Sequence, residues 1–144
     1  MRVTVTRADT DEMREQCYGI RTAVFVEEQN VPIELEMDEY DREAVHFLMT
    51  DDESGFAVGC ARLLDKGGLA KIGRVAIARD ARGRGLGLVL MRSVIDEAQR
   101  LGFREAILDS QTYAIPFYEK LGFVAEGDEF DDAGIAHFRM RRTL

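Results

Sequence analysis

The chain has 144 residues, 46% of them hydrophobic and 32% charged, and a formal net charge of −8. That length suits one domain, residues 1–144, with a working core, and no apolar run approaches a membrane span. The acidic balance argues against nucleic acid as a main partner, since a phosphate backbone selects basic surfaces, and it is compatible with a cationic substrate.

Residues 2–7 alternate as a strand does and lack the apolar core of a signal peptide, so a cytoplasmic protein is expected. Asp9-x-x-Glu12 reads as a capping box opening a helix. Met13, Cys17, Ile20 and Val24 give that helix one apolar stripe, Glu27 and Glu28 lie at the edges of the stripe, and Asn30-Val31-Pro32 stops it. The acidic segment 34–43 is a loop or a second short helix. Within it Glu36, Asp38 and Asp41 form either a solvated charge run or a selector for a cationic acceptor. Strands are expected at 44–51, 55–64 and 69–78, with Asp52-Glu53-Ser54-Gly55 and Asp65-Lys66-Gly67-Gly68 as the turns between them. Cys17 and Cys60 have neither metal-type nor redox spacing and read as two buried, reduced cysteines; no metal site is expected.

A helix over about 84–101 carries Leu90, Met91, Val94, Ile95 and Ala98 at helical spacing. A strand at 104–109, a helix at 112–121 and strands near 123–127 and 134–142 complete the chain. The order βα(α)βββαβαββ describes an α+β layer structure, a mostly antiparallel central sheet flanked by helices.

Between the third of the middle strands and the long helix lies Arg82-Gly83-Arg84-Gly85-Leu86-Gly87. A glycine-rich turn opening a helix presents bare N–H groups at the positive end of the dipole and binds phosphate. No Gly-Lys-Ser or Gly-Lys-Thr follows, which excludes a nucleotide P-loop. The turn also falls too late in the chain for the first βα unit of a dinucleotide fold. On an acidic protein an anionic ligand needs a local positive patch, which Arg74, Arg79, Arg82 and Arg84 can supply.

Phe117-Tyr118-Glu119-Lys120-Leu121-Gly122-Phe123 follows about thirty residues after the Arg82-x-x-Gly85-x-Gly87 run. Together the two motifs resemble the GNAT superfamily of acyl-CoA-dependent N-acetyltransferases. Arg21-Thr22-Ala23-Val24-Phe25-Val26-Glu27-Glu28-Gln29, then Pro32, Glu36, Asp38, Asp41, His46 and Gly134-Ile135-Ala136-His137, resemble the ElaA/YjcF-like branch of that superfamily. The resemblance covers essentially the whole chain. It implies the GNAT fold and acetyl-CoA as cosubstrate. Backbone groups of Val75 and Ile77 would run alongside pantetheine, and the amides from Gly83 through Leu86 to Gly87, with the Arg82 and Arg84 side chains, would hold the pyrophosphate. Phe117 belongs to the same coenzyme site, and Gln111 stands where many members place a pantetheine-binding asparagine. The final strands of such domains often pair across a dimer, so a homodimer is one expected assembly.

The implied reaction is acetyl transfer to the primary amine of a small molecule by direct attack in a ternary complex. A CoA-binding module without turnover and a protein N-terminal or lysine acetyltransferase are the alternatives. An alkyl amine has a pKa near ~10.4, so a base must take its proton. Tyr118 is the expected acid for the leaving thiol, by its place in the resemblance and because a phenol keeps its proton at neutral pH. Glu28 and His137 are the candidate bases. His137 shares one face of the last strand with Arg139 and Arg141. His46, in a strand apolar on both faces, is either a third base or a hydrogen-bonded core histidine.

Overall fold

A computed structural model describes residues 1–144. The chain enters as β1 (Val3–Arg7), whose intermediate and exposed positions alternate. Thr10, not Asp9, caps helix α1 (Asp11–Arg21): its Oγ1 accepts from the Met13 N–H at 3.1 Å. Asp9 stands one residue outside and pairs instead with Arg7 at 3.5 Å. Helix α1 continues without a break into a π-helical segment, Thr22–Glu28. Asn30, at φ 60°, then turns the chain, and the Val31 N–H reaches back to the Phe25 carbonyl at 2.9 Å.

The acidic segment divides into a one-turn helix α2 (Ile33–Glu36) and a 3-10 turn (Glu39–Arg42). Strands β2 (Val45–Asp51), β3 (Ala57–Lys66) and β4 (Leu69–Ile77) follow as an antiparallel meander. Helix α3 (Leu86–Arg100) begins two residues later than its apolar pattern suggests, because Gly85 holds the left-handed conformation at its N-cap. Next come β5 (Glu105–Gln111), a 3-10 turn (Thr112–Ala114) and the short helix α4 (Ile115–Glu119), then β6 (Val124–Asp132) and β7 (Ile135–Thr143). Pro116 in the first turn of α4 explains the divided helix, since proline lacks the N–H that a continuous helix from Thr112 would require. The last hairpin is longer than its apolar pattern implies. Every residue of β6 is exposed, so that strand carries no buried alternation to mark it.

All seven strands form one sheet in the order β1-β2-β3-β4-β5-β7-β6. Every neighbouring pair is antiparallel except β4 and β5, which makes the sheet mixed. Helix α3 covers one face with Leu86, Leu90, Met91, Val94, Ile95 and Ala98, packed on Phe47, Met49, Leu63 and Ile72. On the other face α1 lays Cys17 and Ile20, and the π-helical segment Val24, over Leu48, Cys60 and Ala76. Period-two alternation explains why β2 sends Phe47 and Met49 one way and Leu48 the other. Burial raises the Cys17 thiol to about 11 and pushes Cys60 up as well, so both stay protonated and unreactive at neutral pH.

Candidate active site

The site begins where the sheet comes apart. Strands β4 and β5 pair only through Ala70 with Ala106 and Lys71 with Ile107, although both run on well past that point. Two features turn β4 away. Its register against β3 shifts between Cys60 and Arg62, and Arg74 sits at φ 50°, the geometry of a bulge. Past the bulge, the Ala78 N–H donates to the Val58 carbonyl at 2.8 Å. By strand alternation, the backbone groups of Val75 and Ile77 therefore face the opened side, away from β3. The fork offers a free strand edge to an extended, amide-bearing ligand.

At the mouth of the fork the chain makes the glycine turn. Gly85, at φ 75°, lets the backbone enter α3 with no side chain capping the helix, so its first N–H groups remain free. At Gly87 a Cβ would lie 3.1 Å from two carbons of the Phe117 ring, and the bare backbone is what allows α4 to press Phe117 onto the start of α3. Leu86 is buried and anchors the turn, while Gly83 and Arg84 are exposed. Uncapped helical amides with Arg82 and Arg84 in the turn before them suit an anionic phosphate, and the open strand edge suits pantetheine amides. The residues present fit coenzyme A.

Tyr118 packs edge-on against Phe117 (centroids 4.9 Å apart) and Phe123 (6.2 Å). Its hydroxyl makes no hydrogen bond within the chain, and burial pushes its pKa further above the ordinary tyrosine value. It is a protonated donor without a partner. On the other wall, Gln111 at the end of β5 donates from Nε2 to Gln29 Oε1 at 2.8 Å, which ties the end of the π-helical segment to β5.

Each candidate base has a distinct setting. Glu28 is gripped by Arg82, with Nη1 to Oε1 at 2.8 Å and Nη2 to Oε2 at 3.0 Å, and Arg79 stands 3.8 Å away. The Arg82 hydrogen bonds hold the Glu28 carboxyl below its usual range, so it is ionised at neutral pH. His137 lies directly across from Gln111 in the β5–β7 ladder and stacks on Phe130 at 5.8 Å. Its Nδ1 is 2.7 Å from the Ile135 carbonyl, an acceptor only, so Nδ1 carries the proton and Nε2 of the neutral ring is left as the free acceptor. His46 is a core histidine. Its Nε2 donates to the Asp41 carbonyl at 2.8 Å, Tyr18 packs edge-on against the ring, and burial lowers its pKa.

The acidic residues Glu36, Asp38 and Asp41 are not a solvated run. Arg21, 1% exposed, bonds Glu36 Oε2 at 3.0 Å and both oxygens of Asp41 at 2.8 and 3.1 Å. Arg62 bonds Asp38 at 2.7 Å and Asp41 at 2.9 Å. Arg74, counted from the sequence among the cations around the glycine turn, points instead to Glu36 Oε2 at 2.8 Å, to Asp38 at 3.2 Å and to the Glu36 carbonyl. These residues form a buried ionic cluster that fastens residues 33–42 to the bulge in β4. One sequence signal pointed toward it: Arg62 lies inside the apolar run Val58 to Leu64, where a charge requires a counter-ion. Gln29 belongs to the N-terminal motif, but nothing in the pattern pointed to its pairing with Gln111.

A separate cleft of about 510 Å³ lies on the β3 side of α1, lined by Gln16, Ala23, Phe56 and Ala57 and bordered by Glu28 and Arg79.

Residues 8–144 match the family model described as an acetyltransferase (GNAT) domain. The chain belongs to the GNAT acetyltransferase family. It is 38% identical over 136 residues to YjcF of Bacillus subtilis, described as an uncharacterised N-acetyltransferase, covering 94% of this chain and 96% of that one. An acyl-CoA N-acyltransferase from Pseudomonas aeruginosa is 33% identical, with a TM-score of 0.85 and 98% of each chain covered. Escherichia coli ElaA matches the fold at a TM-score of 0.85, with 23% identity over 99% of both chains. This GNAT chain therefore falls with YjcF and shares the fold of ElaA, in keeping with its N-terminal motif. No helix in it is long and apolar enough to cross a membrane.

Proposed function

We propose that this GNAT chain transfers an acetyl group from acetyl-CoA to the primary amine of a small molecule, by direct attack in a ternary complex. The observation that carries the reading is the β4–β5 fork: a free strand edge at Val75 and Ile77 that leads to the uncapped N-terminus of α3, with an unpartnered tyrosine hydroxyl packed nearby. The acyl-CoA thioester named for the Pseudomonas relative supplies the activated acyl carbon, whose bond to sulfur breaks as the bond to the amine nitrogen forms.

The chain's own groups do the rest. Val75 offers its backbone amide and carbonyl, and Ile77 its amide, to pantetheine, the Ile77 carbonyl being held by Arg82 Nε at 2.9 Å. The amides of Gly83 to Gly87 hold pyrophosphate, and Arg82 and Arg84 add charge. Phe117 and Gln111 border the site. Tyr118 donates its hydroxyl proton to the departing thiolate. Glu28 or His137 Nε2 takes the proton of the attacking amine, and an ionised Glu28 also offers a counter-charge to an ammonium before that step.

Calorimetry with acetyl-CoA, paired with an amine panel read by thiol release, tests this reading. Tyr118→Phe is expected to bind CoA within about twofold of the wild type while turnover falls at least ~10-fold, the lower end of a general-acid contribution. Unchanged turnover in that variant overturns the assignment of Tyr118. A wild type that binds acetyl-CoA but acetylates no amine favours a binding module instead.

A further inference from the structure

Arg82 is a cation with two claimants. It immediately precedes Gly83, so it stands at the phosphate turn, yet its end-on fork is occupied by both oxygens of Glu28 at 2.8 and 3.0 Å. Its Nε donates to the Ile77 carbonyl at 2.9 Å, which anchors the guanidinium at the end of β4 whatever its fork holds. The planar fork that fits a carboxylate fits a phosphate equally well. The pair is only partly covered, with the Arg82 side chain 42% exposed and Glu28 20%, so an entering anion can reach it.

Glu28 ends the π-helical segment Thr22–Glu28, and its neighbour Gln29 is tied to Gln111 on the opposite wall of the fork. Two consecutive side chains thus span the mouth, one bonded to each wall. A π-helical turn is rarer than an α-helical one and frequently occurs at functional sites. The bend at Asn30, φ 60°, lies directly beyond it.

We propose that Arg82 is shared between coenzyme and acceptor: Glu28 holds it in the free protein, a coenzyme phosphate takes over its fork on binding, and the released Glu28 carboxylate then serves the acceptor amine. The proposal rests on the coenzyme site of the preceding section. The Gln29–Gln111 tie, which carries no charge, stays in place and keeps the released carboxylate at the mouth of the site. The charged groups facing Glu28 are Arg82 from the glycine turn and Arg79 from the 3-10 turn before it (Arg79–Ala81). Losing Arg82, the stronger partner, lets the Glu28 pKa rise from its lowered value, and an adjacent phosphate raises it further. Coenzyme binding is then accompanied by net proton uptake in the acidic range where carboxylates titrate, and by none through Glu28 at about pH 7.5.

Calorimetry with CoA on the wild type, Glu28→Gln, Arg82→Gln and the double variant reads this directly. Glu28→Gln is expected to bind CoA about two- to fivefold tighter, the worth of a half-exposed ion pair, and Arg82→Gln more weakly than wild type. In the Arg82→Gln background the gain from Glu28→Gln should vanish, because no shared cation remains to compete for. Glu28→Asp, whose shorter arm reaches the fork less well, should fall between wild type and Glu28→Gln. Repeating the titrations in that acidic range, in buffers of different ionisation enthalpy, should show more proton uptake by wild type than by Glu28→Gln. An equal gain with and without Arg82 would mean simple repulsion of an anion by Glu28 and would overturn the proposal. So would equal proton uptake in the two proteins. Failure of the wild type to bind CoA at all would instead overturn the coenzyme site itself.

Discussion

Two sets of arginine–carboxylate pairs border the site, alike in chemistry and opposite in setting. The cluster of Arg21, Glu36, Asp41, Arg62 and Arg74 lies largely inside the protein, each charge held by two or more partners. The Arg82–Glu28 pair lies at the mouth of the fork, open to solvent and to any incoming anion. A buried cluster cannot give up one member without stranding another charge, so it fixes geometry. An exposed pair costs little to exchange and can act as a binding element. The first fastens the acidic loop to the bulge that opens β4 from β5. The second stands where the opened strands receive their ligand.

The sharpest way to break that contrast is to strip the cluster of its central cation. Arg21→Leu leaves Glu36 and Asp41 buried without it and should cost roughly 3–5 kcal/mol in urea or guanidinium unfolding. A loss below about 1 kcal/mol would place the cluster with surface pairs. Acid titration probes the same cluster more gently. Burial alone would raise the Asp41 carboxyl, but the bonds and charge of Arg21, then of Arg62, outweigh it and pull it from 3.8 to about 2. Because the folded value lies below the unfolded one, the stabilisation is complete above about pH 4 and is lost as pH falls toward about 2. It is worth on the order of 2 kcal/mol, and Asp41→Asn should remove that part of the pH dependence.

Smaller effects are expected at the mouth. Gly87→Ala sets a methyl 3.1 Å from the Phe117 ring, so the ring or α4 must shift. About 1 kcal/mol of stability should be lost, together with CoA affinity, since the shift is felt at the start of α3. Smallest of all is Glu28→Gln, which should move the unfolding midpoint by less than about 0.5 kcal/mol while changing CoA affinity measurably. A large loss of stability there would make the exposed pair structural and erase the contrast.

How much of this was readable from residues alone also divides along the contrast. The glycine turn was legible because its chemistry is local, bare amides at a helix start, and the Phe117-Tyr118 element, inside helix α4, was legible through its resemblance to the family motif. The order of the elements followed from apolar periodicity, and α3 was read from its stripe to within two residues. Apart from the charge of Arg62 within its apolar run, the buried cluster was not legible, because its members lie as far apart as Arg21 and Arg74 and only the fold brings them together. Exposed acids and buried acids look the same in a run such as Glu34 to Glu43. Pairing across the fork, Gln29 with Gln111 and Glu28 with Arg82, is equally non-local. Strand β6 was underestimated because a strand exposed along its whole length shows no burial pattern.

Amide hydrogen exchange of the wild-type protein, with and without acetyl-CoA, tests the site most directly. Protection is expected at Val75, Ile77 and the amides from Gly83 to Gly87, with little change in strand β2 behind the cluster. Protection confined to the cleft beside Gln16 and Phe56, with the glycine turn unchanged, would contradict the assignment of the β4–β5 fork as the coenzyme site.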